Sequence, residues 1–364
     1  MIELFATWPA LARRLPHSPL ADLPTPVRPL TRLGAEIGVP GLYVKEDDAS
    51  ARPYGGNKVR KLEFLLGRAV ACGAERVQTV GATGSNHALA TAIYARQLGL
   101  ASTLLLYHQP NAGYVARNLL MGRRHGARLE LAGSDRAAAA QRPRGVFNIP
   151  MGGSSTLGTI GFVNAGLELA AQVRRGEFPE PARVYVALGT MGTAVGLLLG
   201  LRAAGLRSTL VAVRVVPPHV ASPQKFARLH RNTGRLLRRL EPSFPDTPPA
   251  GVEFRDGFFG DQYARFTAEG MHAVALAREY EDMALEGTYT GKALAALLDD
   301  AQRSQELRAG TVLFWNTVNS VPFPADLMHD DYRRLPPALH RYFEEPVQPL
   351  DAGAESGRGL SPLP

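Results

Sequence analysis

The stretch of sequence that decides the fold is Val184–Tyr185–Val186–Ala187–Leu188–Gly189–Thr190–Met191–Gly192–Thr193. Its first half is an apolar run of strand length, and its second half is a glycine-rich turn that leads into a helical segment ending near Ala204. Such a turn presents free main-chain amides at a helix N terminus, where they bind an anion. The stretch therefore predicts a phosphate-binding loop, with a tight strand-to-helix turn that binds nothing as the simpler alternative.

The spacing of the glycines limits what this loop can bind. Gly189 and Gly192 give Gly-x-x-Gly, which is not the Gly-x-Gly-x-x-Gly pattern of dinucleotide-binding folds. No Gly-Lys-Ser/Thr follows, and Gly291–Lys292–Ala293 lacks the hydroxyl that binds magnesium in nucleotide-binding loops. We therefore expect a site for one phosphate group rather than two or three.

A second unit of strand, glycine turn and helix lies earlier in the chain. Val77–Val80 continues into a turn with two glycines, and Ser85 and Asn86 stand at the start of the next helix. Ser and Asn at this position accept hydrogen bonds from the free amides of the first helical turn. The alternatives are capping alone, and capping combined with anion binding by the same turn.

One lysine follows a pair of glycines, in Tyr54–Gly55–Gly56–Asn57–Lys58. The pattern places Lys58 where a loop enters a helix, with Asn57 as the expected cap. A lysine that forms a Schiff base must lose its proton readily, and burial near other cations favours this. A single phosphate site with such a lysine suggests pyridoxal phosphate, with Lys45, which lies among acidic residues, and Lys292 as alternatives to Lys58.

Segments with the patterns of strands and helices alternate along most of the chain. We expect strands over 41–45, 76–80, 104–107, 127–131, 183–188 and 210–216, and helices over 59–70, 87–98, 115–122, 162–173 and 193–204. Such alternation requires crossover connections between strands. It predicts an α/β protein in which parallel sheets are flanked by helices.

Composition places the chain among globular proteins of about two domains. It has 364 residues, of which 45% are hydrophobic and 20% are charged. No apolar run reaches the roughly 18 residues of a membrane span, and the N terminus lacks the pattern of a secretory signal. The single cysteine, Cys72, forms no disulfide within the chain. We expect a cytoplasmic protein without a membrane partner.

The formal net charge of +8 raises the question of nucleic-acid binding. The densest basic stretch is Lys225–Arg239, where leucines recur at helical spacing. A helix with a solvated basic face explains this pattern, and no known nucleic-acid-binding motif accompanies it. An anion- or RNA-binding face is the alternative. We expect no nucleic-acid partner and no metal site.

Three segments lack the pattern of a helix or a strand. Residues 133–143 form a polar, alanine-rich stretch, and residues 241–251 contain four prolines, which indicates an irregular connector. Residues 345–364 are rich in Pro, Gly and Ser and contain few apolar side chains. We expect residues 345–364 to be a flexible tail.

Six motifs, in order along the chain, resemble those of a known family. They are Tyr54–Lys58, Gly84–His87, Ile149–Ser154, Leu157–Val163, Gly189–Thr193 and Tyr289–Ala293. The set resembles the D-cysteine desulfhydrase and 1-aminocyclopropane-1-carboxylate (ACC) deaminase family. That family belongs to the fold-type II pyridoxal-phosphate enzymes, like the tryptophan synthase β chain, and the resemblance covers about residues 20–320.

The resemblance implies two α/β domains with pyridoxal 5'-phosphate in the cleft between them. A large cofactor-binding domain would comprise residues 1–50 and 160–344, and a small inserted domain would comprise residues 51–159. Relatives of this kind imply a homodimer.

The resemblance also implies which residues bind the cofactor. Lys58 matches the lysine that carries it as a Schiff base, and Asn86 matches the partner of its phenolic oxygen. Thr317 matches a threonine that lies near the ring. The residues that match the phosphate loop are Gly189, Thr190, Met191, Gly192 and Thr193.

Four side chains match residues that lie near the substrate in the family. Ser85 and His87 would face the substrate carboxylate, and Tyr289, with Tyr263 as a second tyrosine, would approach the ring and the substrate. The resemblance implies that Lys58, Tyr289 or Ser85 removes a proton from a small amino acid. The β substituent would then leave, and a 2-oxo acid and ammonia would be released.

Residue 290 distinguishes two branches of the family. ACC deaminases resemble Tyr-Glu-Gly-Lys here, with the carboxylate on the pyridine nitrogen, whereas this chain has Thr290. A hydroxyl leaves that nitrogen largely unprotonated and the ring a weaker electron sink, which still suffices when the β leaving group is good. We expect elimination of the D-cysteine desulfhydrase type, with ACC ring opening, β-replacement and racemisation as alternatives.

Two stretches depart from the family pattern. Relatives carry His-Thr-Gly-Gly where this chain has Asn316–Thr317–Val318–Asn319, and Ala88 and Leu89 replace a longer polar pair after the Ser-Asn-His motif. Both changes fall at the rim of the expected site. They leave open a non-catalytic protein that binds pyridoxal phosphate on the same scaffold.

Overall fold

A computed structural model of the chain describes residues 1–133 and 145–355. The helices are α1 Glu3–Thr7, α2 Pro9–Arg14, α3 Thr31–Glu36, α4 Lys58–Ala71, α5 Asn86–Gln97, α6 Gly113–Arg124, α7 Thr156–Arg174, α8 Gly192–Ala203, α9 Pro223–Leu240, α10 Ala268–Glu281, α11 Thr290–Arg303, α12 Gln305–Ala309, α13 Arg341–Glu344 and α14 Pro349–Glu355. The strands are β1 Val27–Pro29, β2 Leu42–Glu46, β3 Arg76–Ala82, β4 Ala101–Tyr107, β5 Arg128–Leu131, β6 Val146–Ile149, β7 Arg183–Leu188, β8 Thr209–Arg214, β9 Val252–Arg255 and β10 Val312–Asn316.

These strands form two sheets. The larger has the strand order β1-β2-β10-β7-β8-β9, and the smaller has the order β5-β4-β3-β6. Every described pairing is parallel except that of β1 with β2 at the edge of the larger sheet. The smaller sheet comes from residues 76–149, between two strands of the larger sheet. The predicted α/β architecture is therefore confirmed, and the division at residues 51 and 159 stays a prediction.

The predicted strands and helices are present, with bounds that differ by a few residues. The largest difference is in α7, which begins at Thr156 because the Ser155 side chain accepts a hydrogen bond from the amide of Gly158. Strands β1, β6, β9 and β10 have no counterpart in the sequence prediction. Runs of three to five residues carry too little periodicity to be identified as strands.

The prediction of a flexible tail is wrong for residues 345–355. Residues 349–355 form α14, and Gln348 is buried with its main-chain nitrogen 3.0 Å from the oxygen of Asn111. The prediction failed because hydrogen bonds hold this segment, which composition does not reveal. Residues 356–364, and residues 134–143 of the predicted alanine-rich loop, lie outside the described residues.

The predicted basic helix is also present. In α9 the side chains of Phe226, His230 and Leu237 are buried, whereas Arg231 and Arg235 are exposed. The arginines therefore form the solvated face of an amphipathic helix. Within residues 1–133 and 145–355, none of the helices combines the length and the apolar character needed to cross a membrane.

A buried cluster of charged side chains joins α4 to the larger sheet. Arg60 is completely buried and lies 2.7 Å from Asp47 and 2.9 Å from Glu168, and Lys45 lies 2.7 Å from Glu168. Burial raises the pKa of Glu168, but the charges of Arg60 and Lys45 outweigh burial and lower that pKa to about 2. Because Asp47 follows β2 and Glu168 lies on α7, the cluster fixes the first turn of α4 in position.

We expect Glu168→Gln to lower the free energy of unfolding by about 3 kcal/mol, because two buried cations lose a charged partner. Urea denaturation at pH 7 measures this loss. The matched control is Glu253→Gln, which removes the partner of Arg183 in a partly exposed pair and should cost less than about 1 kcal/mol. Equal losses for the two variants would contradict a special role of the buried cluster.

Candidate active site

One cavity of about 170 Å³ lies at the carboxyl ends of strands from both sheets. Residues that follow β3, β7, β8 and β10 line it, together with residues from the end of β4 and from the turn before α11. Ligands of open parallel sheets bind at this edge. Every residue of the predicted site lines the cavity except Gly192, which stands between Met191 and Thr193, both of which do.

Lys58 is the first residue of α4, and its side chain is partly exposed in the cavity. Its Nζ lies 5.9 Å from the centre of the Tyr289 ring. Burial lowers the pKa of Lys58 to about 8, against the opposing effect of the Glu286 charge. Near neutral pH this amine therefore loses its proton far more readily than an ordinary lysine, as formation of a carbon–nitrogen bond requires.

The two alternative lysines have other partners. Lys45 belongs to the buried charged cluster. Lys292 donates from Nζ to the main-chain oxygens of Phe259 and Arg265, at 2.6 and 2.7 Å. Neither lysine is among the residues that line the cavity. The geometry therefore favours Lys58 as the reactive amine.

Asn57 does not cap α4, contrary to the sequence prediction. Its backbone is already helical, and its side chain makes no capping hydrogen bond. Instead its Nδ2 donates to Oγ1 of Thr193 at 3.1 Å. This contact connects the start of α4 to the phosphate loop and holds Lys58 beside that loop.

The loop after β7 has the shape expected of an anion site. Met191 adopts the left-handed conformation, with φ of 70°, immediately before α8 begins at Gly192. The hydroxyl of Ser154 accepts a hydrogen bond from the Gly192 amide at 3.1 Å and lies 2.7 Å from Oγ1 of Thr190. Successive amides in such a turn form a concave surface that suits a phosphate group.

Lys61 is a site residue that the sequence prediction missed. It is buried one helical turn after Lys58, and its Nζ lies 3.1 Å from the oxygen of Gly152 and 3.3 Å from Oγ of Ser154. Burial, and then the charge of Lys58, lower the pKa of Lys61 well below its ordinary value. The available signal was the three-residue spacing, since residues i and i+3 of a helix lie on one face.

The side-chain amide of Asn86 is oriented by two neighbours. Its Oδ1 accepts hydrogen bonds from the hydroxyl of Tyr54 and from Nδ2 of Asn118, both at 3.1 Å. With the oxygen occupied, the Nδ2 of Asn86 is available as a donor in the cavity. Sequence reasoning did not identify Tyr54 and Asn118 as its partners, because a loop and a separate helix bring them together.

Ser85 and His87 flank Asn86 at the start of α5. Ser85 caps the helix, since its Oγ accepts from the amide of Ala88 at 3.2 Å, and it also lines the cavity. His87 is buried, and within the described part of the chain its ring nitrogens make no well-aligned hydrogen bond, although the main chain of Pro150 is close enough to raise its pKa slightly. Burial, then Lys58 and nearby cationic charge, lower the pKa of His87. The neutral imidazole can therefore offer a ring nitrogen to a ligand.

Tyr263 and Tyr289 form a pair of phenols in the cavity wall. Their hydroxyl groups are hydrogen-bonded to each other, and their ring centres are 6.2 Å apart. Burial raises the pKa of both, so both stay protonated over the physiological range. Because one phenol donates to the other, one hydroxyl hydrogen remains for a further acceptor in the cavity.

The turn that departs from the family pattern supports the loop before Lys58. Oδ1 of Asn319 accepts a hydrogen bond from the Gly55 amide at 2.6 Å. Gly56 has φ of +85°, and a Cβ there would lie 2.9 Å from the oxygen of Thr317. Thr317 and Val318 line the cavity, and the family resemblance predicts this position for Thr317. The altered turn therefore positions the lysine loop as well as the cavity wall.

Glu286 is the carboxylate among the described residues that line the cavity. Its oxygens accept hydrogen bonds from the main-chain nitrogens of Thr288, Tyr289 and Thr290 at 2.7 to 2.9 Å, so it caps α11. The hydroxyl of Thr290 accepts from the Glu286 amide at 3.0 Å and does not line the cavity. Contact between Thr290 and a ring nitrogen stays a prediction.

The charges and donors of the cavity define the ligand that it fits. Two lysines, the partly exposed Lys58 and the buried Lys61, and one carboxylate, Glu286, are among the described lining residues. Neither amine has a salt-bridge partner among the described residues, so a bound anion would stabilise their protonated forms. The amides after β7, the neutral imidazole of His87 and a readily deprotonated amine together fit a molecule with one phosphate group and one reactive carbonyl.

Comparison with known proteins agrees with this geometry. Residues 19–318 match the family described as pyridoxal-phosphate dependent enzyme. The chain is 32% identical over 318 residues to the D-cysteine desulfhydrase of Klebsiella pneumoniae (strain 342), covering 84% of this chain and 94% of the relative. It is 33% identical over 328 residues to the D-cysteine desulfhydrase of Yersinia pestis (strain Pestoides F), covering 84% and 96%.

Solved structures give the same result. The crystal structure of an ACC deaminase homologue matches with a TM-score of 0.72 at 30% identity, covering 87% of this chain and 94% of that chain. A fungal L-serine ammonia-lyase from Rhizomucor miehei matches with a TM-score of 0.59 at 21% identity, covering 86% and 98%, which shows the fold alone. The predicted resemblance, the fold class and the dependence on pyridoxal phosphate are thereby confirmed.

The lowered pKa of Lys58 can be measured directly. We expect the reaction of its amine with an acylating reagent, in protein freed of cofactor, to rise with pH around a midpoint near 8 rather than the ordinary 10.5, because only the neutral amine reacts. Peptide mass spectrometry at a series of pH values quantifies the label on residue 58. A midpoint above pH 10 would contradict the desolvated environment of this side chain.

Proposed function

The chain belongs to the pyridoxal-phosphate dependent enzyme family, and from this premise we propose that it eliminates the β substituent of a small amino acid. The products would be a 2-oxo acid and ammonia, and D-cysteine is the first candidate substrate. One observation carries the proposal. The cavity brings Lys58, Asn86 and the loop after β7 together in a chain that is about one-third identical to D-cysteine desulfhydrases.

The described residues would hold the cofactor at three points. Lys58 would attach its carbonyl carbon, Nδ2 of Asn86 would donate to its phenolic oxygen, and the amides of Gly189–Thr193, with Lys61, would bind its phosphate. When bound, pyridoxal phosphate withdraws electrons from the bond that breaks next to the substrate amine. Thr317 and Val318 would form the cavity wall near the ring.

Side chains of this protein would carry out the proton transfers. Lys58 Nζ, with a pKa of about 8, is a base that can take a proton from the substrate's α carbon. It can later give a proton to the fragment that becomes the 2-oxo acid. The Tyr289 hydroxyl keeps its proton and can donate it to the departing sulfur. The electron pair of the broken bond leaves with sulfur as sulfide, and hydrolysis of the nitrogen-bearing fragment releases ammonia.

The start of α5 is the proposed site for the substrate carboxylate. Ser85 and His87 both line the cavity there, and free amides of a helix N terminus favour an anion. A neutral His87 can donate one hydrogen bond without holding a proton that would compete with Lys58. These contacts would fix which substrate hydrogen faces the amine, and so the preferred enantiomer.

Elimination is favoured over ring opening of ACC by the chemistry of residue 290. A threonine there offers no carboxylate to keep a ring nitrogen protonated, which suits a substrate with a good leaving group. ACC ring opening, β-replacement and racemisation by the same residues are the alternative reactions. The remaining alternative is a protein that binds the cofactor but catalyses no reaction.

Assembly and location belong to the same proposal. We infer a homodimer in the cytoplasm, without a nucleic-acid partner. The exposed free thiol of Cys72 suits a reducing compartment, and the arginines of α9 are explained as a solvated helix face.

We expect the purified protein to release sulfide and 2-oxo acid in equal amounts from D-cysteine, faster than from L-cysteine, and to release no 2-oxobutanoate from ACC. Lys58→Ala should lower kcat by about a thousandfold, the scale of a lost acid–base group. The control is Arg235→Ala, which removes an exposed charge of α9 and should leave kcat unchanged.

Three results would overturn the assignment. Turnover that survives Lys58→Ala would remove this residue from the reaction. Product from ACC alone would favour the deaminase activity. Bound cofactor without product from any amino acid would favour the non-catalytic scaffold.

We expect Lys61→Met to weaken binding of pyridoxal phosphate about tenfold or more, because a charge-assisted hydrogen bond to a charged group is worth roughly 1.5–3 kcal/mol. Fluorescence titration of the cofactor-free protein measures the dissociation constant. The control is Arg68→Met, which removes an exposed cation from the same helix. Unchanged affinity in the Lys61 variant would place the phosphate elsewhere.

A further inference from the structure

The segment formed by residues 340–352, called here the C-terminal segment, lies beyond the family match, which ends at residue 318. It contacts residues just after β4 of the smaller sheet and, further along, a loop of the cavity wall. The hydroxyl of Tyr342 lies 2.9 Å from Nδ1 of His108 and accepts from the amide of Gln109 at 3.1 Å, just after β4. The Gln109 side chain in turn accepts from the amide of Gly84 at 3.0 Å, two residues before Asn86.

Further along the segment, the side chain of Gln348 holds a loop of the cavity wall from both sides. Its Oε1 accepts from the amide of Phe266 at 2.7 Å, and its Nε2 donates to the oxygen of Ala264 at 3.1 Å. Gln348 is 8% exposed and Ala264 is 1% exposed, so both hydrogen bonds are shielded from water. A side-chain amide that pairs with both the donor and the acceptor of a loop fixes its main chain.

The loop needs such support because of Ala264. This residue has φ of 63°, in the left-handed region that residues with a Cβ adopt only at a cost. Its neighbour Tyr263 reaches the cavity in this conformation, and relaxation of Ala264 to a negative φ would turn the tyrosine away. The amide group of Gln348 opposes that relaxation, since it binds the oxygen of Ala264 itself.

The effect passes from Tyr263 to the reactive amine through one further residue. Tyr263 is hydrogen-bonded to the Tyr289 hydroxyl, and the Tyr289 ring lies 5.9 Å from Nζ of Lys58. The two phenols share one hydrogen bond, so the position of Tyr263 decides where the Tyr289 hydroxyl directs its hydrogen.

We propose that Gln348 is a positioning residue of the active site, and that it acts by holding Ala264 in the conformation that presents Tyr263 to Tyr289. The C-terminal segment is then part of the active-site scaffold although it lies outside the family match. The catalytic part of this inference rests on the proposed function, whereas the structural part does not.

Hydrogen–deuterium exchange tests the structural part in the holoenzyme. In Gln348→Ala the Phe266 amide loses its acceptor, so peptides that cover residues 262–267 should exchange at least about tenfold faster, the scale of one lost buried hydrogen bond. Gln348→Glu keeps an acceptor for Phe266 and should lie between wild type and Gln348→Ala. The control Arg341→Gln breaks an exposed ion pair of the same segment and should leave exchange unchanged. Unchanged exchange in Gln348→Ala overturns the proposal.

A double-mutant cycle tests the route through Tyr263. We expect Gln348→Ala to lower kcat about tenfold with little change in KM, and to have less than about twofold effect when Tyr263 is already Phe, because coupled residues are not additive. An equal loss of kcat in the wild-type and Tyr263→Phe backgrounds would show that Gln348 does not act through Tyr263. That result, which a merely structural residue would give, would overturn the proposal.

The two proposals fail in different ways. If the wild-type holoenzyme releases no product from D-cysteine, the proposed function fails. The hydrogen–deuterium exchange of residues 262–267 still tests whether Gln348 holds the loop. The cycle is then run on the pH midpoint of the bound cofactor's absorbance, which needs no turnover. We expect Gln348→Ala to shift that midpoint only when Tyr263 is present, and an equal shift in both backgrounds, or none, overturns the proposal.

Discussion

The structure depends on a buried group of charges beneath the first turn of α4. Arg60 is shared between Asp47 and Glu168 with complete burial, and Lys45 neutralises the second carboxylate. Each member needs the others, because a buried ion without its partner costs several kcal/mol. The cluster thereby fixes the direction of α4. Lys58 and Lys61, which share another face of this helix, line the cavity and have no salt-bridge partners among the described residues.

This division of charges explains the chemistry of the site. Asp47 and Glu168 are paired with Arg60 and Lys45, and Glu286, the carboxylate that acts on Lys58, accepts hydrogen bonds from main-chain amides at the start of α11. What remains in the cavity is two lysine amines without salt-bridge partners among the described residues and a set of hydrogen-bond donors, which a phosphate group would satisfy. The same burial lowers the pKa of Lys58 to about 8, so one environment prepares both the anion site and the reactive amine.

Local signals predicted much of this arrangement. The strand, glycine turn and helix at residues 184–193 form the loop as expected, and five of the six motifs contribute residues to one cavity, Leu157–Val163 being the exception. Lys61 was within reach of the sequence, since it stands three residues after Lys58 on one helix face. Tyr54 and Asn118, which orient Asn86, were not, because no spacing links residues from separate elements. Residues 345–355 of the expected flexible tail are instead ordered, because this part of the chain is held by hydrogen bonds such as those of Gln348, which leave no trace in hydropathy.

The central claim is that Lys58 carries the cofactor while the loop after β7 binds its phosphate. Reduction of the holoprotein with borohydride fixes the cofactor on the lysine that holds it, and peptide mass spectrometry then locates the label. The account predicts a single pyridoxyl group on Lys58 that is absent from Lys58→Ala. A label on Lys61 or Lys292, or a labelled protein that lacks any modification at residue 58, would contradict it.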